Sequence, residues 1–220
     1  MRDNIKNINY FKKYILELEE DINNETDFEY LSTLFFQKIM AKYSIGEEVN
    51  LLVNDYNDMV NMFIKSWDCE SVSYNSVLNI ISLSIIFNTE NIKKLESVIK
   101  ESNKFNDYII QFFINSTNHE TYTVKWEKYL PLKSIIKSYK NNNKKEAEKE
   151  MKLYLEKWYS NNKNVYWYEA HKSKAKIYFG YWCLEAAALT YILDLDDREY
   201  LDNQYYPKDL VKYARNNKAI

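Results

Sequence analysis

A chain of 220 residues, 46% of them hydrophobic and 28% charged, is long enough to bury one large core or two smaller ones and too apolar to be disordered. Two glycines and two prolines argue against an all-β fold, because sandwiches and barrels need turn residues every ~8–12 positions. The net charge of −2 is unevenly distributed: residues 1–118 carry 11 basic and 18 acidic side chains, and residues 119–220 carry 19 and 14. This asymmetry suggests two modules with different faces.

Several function classes are disfavoured by what the sequence lacks. Only three of the 30 basic residues are arginines, the side chain best suited to phosphates and bases, so direct nucleic-acid binding is not expected. The first 14 residues contain no apolar run, and no apolar stretch reaches the ~20 residues of a membrane span, so neither a signal peptide nor a membrane partner is expected. Cys69 and Cys183 form no CxxC and are predicted to be free thiols. These features predict a cytoplasmic protein.

The first half of the chain predicts a series of amphipathic helices. Apolar residues recur at helical spacing over residues 4–23, 28–43, 49–67, 74–87, 90–100 and 105–114. Ser73 and Thr89 precede two of these stretches and are predicted to be N-caps. The polar, turn-rich stretch 115–123 predicts a boundary between an N-terminal domain, 1–117, and a C-terminal domain, 118–220.

The second half predicts further helices. Pro131 fits the first turn of a helix that begins near residue 130, and Pro207 is predicted to start the last helix, over 208–216. A helix over 144–159 is predicted to bury Ala147, Met151, Tyr154, Leu155 and Trp158. Residues 177–193 are apolar around the whole circumference of a helix, so they predict a helix buried in a core. The fold class that follows is all-α, a two-domain helical bundle of roughly ten helices.

Glu185 is the one acidic residue inside the apolar stretch 177–193. A buried carboxylate must find a partner or take up a proton, because an isolated buried charge costs several kcal/mol. It could therefore be a catalytic acid, or it could accept a structural hydrogen bond from a Tyr, a Trp, His171 or a Lys of another helix. The structural interpretation is favoured, since buried carboxylates also occur in structural networks.

Other enzyme and cofactor sites find no support in the sequence. His119 and His171 are the only histidines, and neither belongs to an HExxH motif or has a cysteine nearby. The acidic stretch 194–202 lacks the glycine and glutamate that an EF-hand loop requires, and two isolated glycines cannot form a phosphate-binding loop. Cys183 lies in the most apolar stretch, where a thiol is inert. We therefore expect no enzyme, no catalytic residue, no metal and no cofactor.

Four short motifs occur in order near the C-terminus: YFGYW at 178–182, EAAA at 185–188, LDD at 195–197 and YYPKDL at 205–210. With Trp167 and His171 upstream, they resemble the C-terminal domain of PoNi-type immunity proteins. The resemblance implies two helical domains and a role in neutralising PoNe-type DNase toxins of bacterial polymorphic toxin systems. The residues that carry it are expected to hold the fold: Trp167, His171, Gly180, Tyr181, Trp182, Glu185, Tyr206, Pro207 and Asp209.

An inhibitor of a nuclease can use an acidic face, because a nuclease active site that holds phosphates is electropositive. Residues 17–29 carry seven carboxylates and no basic side chain, and residues 194–202 carry five carboxylates and one arginine. The candidate toxin-binding residues are Glu17, Glu19, Glu20, Asp21, Asp194, Asp196, Asp197, Glu199 and Asp202. Charge reversal within either cluster is expected to weaken toxin binding; both clusters could also be ordinary solvated helix ends.

Two other functions remain open at the level of the sequence. The chain could be a helical adaptor without a toxin partner, or a nucleic-acid-binding module that uses its basic C-terminal half. Its many aromatic residues could also serve a homodimer.

Overall fold

The structure of the chain, a computed structural model, describes residues 1–115 and 122–217. These residues form ten α-helices and four short 3₁₀-helices and contain no strand. The α-helices are α1 (Ile8–Asn24), α2 (Phe28–Ile45), α3 (Leu52–Lys65), α4 (Tyr74–Phe87), α5 (Asn91–Ile99), α6 (Tyr108–Asn115), α7 (Leu130–Lys140), α8 (Lys144–Asn161), α9 (Leu184–Ile192) and α10 (Lys208–Asn216). The prediction of an all-α, two-domain helical bundle of roughly ten helices is confirmed. The predicted boundary between residues 117 and 118, and His119, lie outside the described residues.

The described residues group into two compact units. The first unit consists of Met1–Trp67 and Asn162–Trp182. The second consists of the described parts of Asp68–Asn161 and Cys183–Ile220. The YFGYW motif therefore belongs to the first unit, and the motifs that follow it belong to the second.

The first unit is built on α1, α2 and α3, with α2 packed against both of the others. Local signals set the helix ends: Asn7 and Asp27 cap α1 and α2 by accepting the N–H groups of Tyr10 and Tyr30 at 2.9 and 2.7 Å. Gly46 ends α2 in the left-handed region, with a φ of 103°. Apolar side chains of all three helices form the core, among them Phe11, Leu18, Leu34, Ile39, Leu52 and Val60.

The second unit is organised around α4, which packs against α5, α6, α9 and α10, while α7 and α8 pack against each other. Ser73 caps α4 as predicted, since its hydroxyl oxygen accepts the N–H of Ser76 at 3.0 Å. The predicted cap at Thr89 is wrong: α5 begins at Asn91, with Glu90 before it and no side-chain cap. The chain turns at Asn88 in the left-handed region with a φ of 50°, which delays the start of the helix.

The helix predicted over 177–193 is wrong in its first seven residues. Only Leu184–Ile192 is helical, and residues 177–183 form no regular secondary structure. Gly180 has a φ of 106°, which is incompatible with a right-handed helix. The sequence signal was the glycine itself, inside an otherwise helical pattern.

The structure also bears on the two cysteines and on the prediction that no segment spans a membrane. Cys69 and Cys183 are free thiols, as expected, and Cys183 is buried. No helix within the described residues is both long enough and apolar enough to cross a membrane.

Candidate functional site

The irregular segment 177–183 is held by polar contacts to the start of the chain. The Tyr10 hydroxyl accepts the N–H of Tyr178 and donates to its carbonyl oxygen, both at 3.0 Å. The Tyr178 hydroxyl donates to the carboxylate of Asp3. Burial raises the pKa of Tyr178, and the neighbouring Asp3 raises it further. These bonds replace the hydrogen bonds that a helix would have supplied to this backbone.

The glycine and tryptophan of the YFGYW motif are fixed by Ser44. The indole Nε1–H of Trp182 donates to Ser44 Oγ at 2.8 Å, and this hydroxyl donates to the carbonyl oxygen of Phe179 at 3.1 Å. The Trp182 ring meets the Tyr43 ring edge-on, with centroids 4.9 Å apart. A Cβ on Gly180 would lie 2.2 Å from Ser44 Oγ, so only glycine leaves room for this contact.

Trp167 and His171 lie on the same unit as the motif and both contact Tyr181. His171 Nδ1 is 2.9 Å from the Tyr181 hydroxyl, which also accepts the His171 N–H. The Trp167 and Tyr181 ring centroids are 5.5 Å apart. Five of the predicted structural residues thus converge here: Trp167, His171, Gly180, Tyr181 and Trp182. The contacts given above lie within the first unit.

Glu185 is a buried structural acceptor in the second unit. Its side chain is 4% exposed, and Oε1 accepts the hydroxyl of Tyr154 and the indole N–H of Trp158, both at 2.7 Å. The predicted hydrogen bond to a Tyr or Trp of another helix is confirmed. Burial raises the pKa of the Cys183 thiol, and Glu185 raises it further, so Cys183 is kept protonated.

Asp197 and Tyr206 form a second internal cluster, which secures the start of α10. The Asp197 carboxylate is 8% exposed and accepts the Tyr206 hydroxyl at 2.8 Å and Arg215 Nη1 at 3.1 Å. Burial raises the pKa of Tyr206. Pro207 is the N-cap of α10, and Asp209 lies in the first turn of this helix. A carboxylate at that end interacts favourably with the helix dipole. Sequence reasoning missed Arg215, because no local spacing links it to Asp197.

The other carboxylates of the predicted cluster at 194–202 each have a cationic neighbour. The pairs are Asp194 with Lys144, Asp196 with Arg198, Glu199 with Lys152 and Asp202 with Lys208. Lys144 and Lys152 belong to α8. The lysine-rich sequence of α8 was the only feature of the sequence that indicated a neutralising partner for the carboxylates of 194–202. Residues 194–202 are acidic in sequence, but together with their cationic neighbours they form a surface that is close to neutral.

The Asp196–Arg198 pair gives a pH prediction. Hydrogen bonds from Arg198 lower the pKa of Asp196 from 3.8 to about 2. Because the folded-state value is the lower one, the contribution of this carboxylate to stability is present above pH ~4 and is lost as the pH falls through about 2. The variant Arg198→Ala is expected to return the pKa towards 3.8, as measured by carboxyl ¹³C NMR titration. An unchanged titration of Asp196 in the variant would contradict this assignment.

The predicted cluster at 17–29 differs, because part of it has no cationic partner. Glu17 pairs with Lys176, and Glu19 lies 3.2 Å from Lys38. Glu20 and Asp21 are exposed, and within the described parts of the chain neither has a cation within ion-pair distance. Both lie near the C-terminal end of α1, whose last turn contains no basic residue. The structure thus places two uncompensated carboxylates at the negative end of a helix dipole.

The described side chains form no group of metal ligands. Within 1–115 and 122–217, no group of three or more His, Cys, Asp or Glu side chains is arranged to hold a metal ion. The carboxylates of 194–202 in particular are spread over separate ion pairs.

Models of one protein family match two parts of the chain. Family models described as PoNe immunity protein (PoNi), N-terminal, and PoNe immunity proteins (PoNi), C-terminal, match residues 27–100 and 105–210. No curated protein is significantly similar to the chain. Among solved structures, protein PA2201 from Pseudomonas aeruginosa is similar at 14% identity with a TM-score of 0.72, over 98% of this chain and 90% of that one, which shows the fold alone. Since the two family matches cover most of the sequence, the chain belongs to the PoNe immunity protein (PoNi) family.

Proposed function

We propose that this protein is the immunity partner of a PoNe-type nuclease toxin, which it binds and neutralises in the cytoplasm without catalysing a reaction. Membership of the immunity-protein family supports the role. The internal engagement of Glu185 and the protonated state of Cys183 support inhibition by binding, because neither group is free to act as an acid or a nucleophile.

The observation that carries the binding surface is the pair Glu20 and Asp21. Seven of the nine candidate carboxylates are used inside the fold: Asp197 is buried on Arg215, and six others pair with lysines or arginines. Glu20 and Asp21 have neither use, so they project negative charge into solvent. A basic nuclease mouth would be attracted to them over roughly a Debye length, about 8 Å at physiological salt.

These two residues also act against the stability of their own helix. Asp21 lies in the last turn of α1, where a carboxylate opposes the helix dipole by about 0.3–1 kcal/mol. Glu17 lies three and four residues before them, so both add like-charge repulsion of about 0.2–0.5 kcal/mol per pair. Charges that weaken the fold and have no internal partner are the ones that a binding role explains best.

The test is a paired charge reversal. The variant Glu20→Lys with Asp21→Lys is expected to raise the thermal midpoint by a few °C, because the repulsions become attractions worth about 1 kcal/mol in total. The same variant is expected to bind the nuclease encoded beside this protein's gene at least about tenfold more weakly and to lose protection at native expression levels.

The matched control is Glu199→Lys with Asp202→Lys, which changes the net charge by the same amount at a compensated site. We expect this control to keep its affinity for the nuclease, measured by calorimetry at two salt concentrations. Equal losses in both variants would mean that overall charge, not the α1 surface, governs association. Full protection by both would rule out the acidic surface.

A nucleic-acid-binding function is less well supported by the same contacts. Lysines of the basic second half, such as Lys144, Lys152 and Lys208, are paired with carboxylates and so are partly neutralised. A phosphate-binding surface needs those charges free, and it would show a steep loss of DNA affinity with salt.

A further inference from the structure

Tyr166 is the most exposed large hydrophobic side chain within the described parts of the chain, at 72%. It lies in the 162–182 segment of the first unit. A tyrosine at a surface ordinarily buries its ring and leaves its hydroxyl in water. Tyr166 shows the reverse arrangement, because its hydroxyl hydrogen-bonds the side chain of Gln37 while the residue as a whole stays exposed.

Gln37 is in turn fixed by a buried residue of the neighbouring helix. The hydroxyl of Tyr14 on α1 donates to Gln37 Oε1 at 2.8 Å, and Tyr14 is buried. One amide on α2 therefore links α1 and the segment that carries Tyr166. The hydrogen bond to Gln37 restrains the exposed Tyr166 ring, so the ring loses little conformational freedom when a partner binds to it.

Tyr30 and Asp21 lie around the same buried tyrosine. Asp21 is seven residues after Tyr14 on α1, and Gln37 is seven residues after Tyr30 on α2, so each pair lies on one face of its helix. The Tyr14–Gln37 hydrogen bond joins these two faces. Burial raises the pKa of Tyr14, and Tyr10, Tyr166, Tyr30 and Asp21 raise it further. Tyr30 is 50% exposed, and Asp21 is one of the two uncompensated carboxylates. We call Asp21, Tyr30, Gln37 and Tyr166 the tyrosine patch.

The composition of the tyrosine patch points to a cationic occupant. Fixed tyrosine rings present their negative faces to cations, and a guanidinium group can stack on a ring while it donates to a carboxylate. Tyrosine is also enriched at the centres of protein interfaces, where water is excluded from such contacts. A nucleic acid would be repelled by Asp21 and by the adjacent Glu20.

We propose that the tyrosine patch is the docking site for an arginine-bearing segment of the toxin, with Tyr166 as its anchor. This inference rests on the proposed function and deepens it: the acidic surface steers the toxin, and the tyrosine patch holds it. The carboxylates then set the association rate, and the aromatic contact sets the dissociation rate.

The test compares Tyr166→Ala, Tyr166→Phe and Tyr30→Ala with Leu153→Ala, a control that removes an exposed apolar side chain from α8. Affinity for a catalytically inactive form of the nuclease encoded next to this protein's gene is measured by surface plasmon resonance. Tyr166→Ala is expected to raise the dissociation rate at least about tenfold, and Tyr166→Phe about two- to fivefold, because it keeps the ring and loses the bond to Gln37. Tyr30→Ala is expected to raise it severalfold, and Leu153→Ala to leave it unchanged.

Thermal midpoints of all four variants are expected to stay within about 2 °C of the parent protein, since the replaced side chains are exposed. Unchanged dissociation from both Tyr166→Ala and Tyr30→Ala would overturn the docking site. If the Glu20 and Asp21 reversal still weakens binding in that case, the proposed function stands without it. If the unaltered protein fails to bind the nuclease, the proposed function and the docking site fall together.

Discussion

Replacing Glu185 with alanine is expected to lower the free energy of unfolding by about 3–5 kcal/mol. The carboxylate is 4% exposed, and the Tyr154 hydroxyl and Trp158 indole N–H both depend on its Oε1. Alanine would leave two buried donors without an acceptor, each costing about 1–3 kcal/mol, and would open a cavity between α8 and α9. Urea denaturation followed by tryptophan fluorescence measures the change.

Two further variants separate the hydrogen bonds from the cavity. Glu185→Gln keeps the shape and one good acceptor, so a loss of only about 1–2 kcal/mol is expected. Adding Tyr154→Phe to Glu185→Ala removes one of the stranded donors, and the double variant is expected to recover about 1 kcal/mol relative to the single one. A loss below about 1 kcal/mol for Glu185→Ala would show that Tyr154 and Trp158 find water instead.

Replacing Gly180 with alanine is expected to lower the free energy of unfolding by about 3 kcal/mol, the sum of two separate costs. A φ of 106° is unfavourable for any residue with a side chain. The new Cβ would also lie 2.2 Å from Ser44 Oγ and 2.5 Å from Trp182 Nε1, so it would break the Trp182–Ser44 hydrogen bond. Thermal unfolding measures the total loss of stability, and the intensity of the near-ultraviolet circular dichroism is expected to fall because Trp182 loses its fixed environment.

Ser44→Ala supplies the control for Gly180→Ala. By itself it removes the bond to Trp182 without any clash, and a loss of about 1 kcal/mol is expected. Combined with Gly180→Ala it removes the nearest clashing atom, so the double variant is expected to lose less than the two single losses combined. Strict additivity would show that the strain lies in the backbone alone.

Helices whose ends carry a local signal were the predictable part of this fold. Ser73 marks the start of α4 and Pro207 the start of α10, and both helices occupy the predicted residues. The inward face of α8 is also confirmed, because its five apolar side chains at helical spacing are all buried. Apolar periodicity and helix caps depend on residues that are close in the sequence, so both can be recognised from the sequence alone.

For the apolar stretch 177–193, local sequence patterns did not predict the conformation of the first seven residues. Hydrophobicity correctly predicted burial for most of this stretch, but a segment without regular structure can be buried as well as a helix when other residues satisfy its backbone. Those residues are Tyr10 and Ser44, more than 130 positions away. No local rule connects them to the segment, so the sequence alone could not give its conformation.

The candidate binding surface shows the same division between local and distant information. The two acidic stretches look alike in the sequence, yet one is neutralised largely by lysines of α8 and α10, whereas in the other only Glu17 and Glu19 lie within ion-pair distance of a lysine among the described residues. Rules for charge pairs apply at separations of three or four residues, whereas Glu17 and Lys176 are 159 positions apart. The tyrosine patch joins residues of three separate segments, so it could not be predicted from the sequence either.

The first unit has a consequence for synthesis on the ribosome. Its helices α1, α2 and α3 are complete once residue 67 has been made, but the segment that covers Phe36 and Tyr10 arrives only with residues 162–182. About 115 residues separate Trp67 from Trp182, so at ~5–20 residues per second the gap lasts about 6–23 s. During that interval the nascent protein presents an unfinished apolar surface, which is the kind of site that chaperones bind.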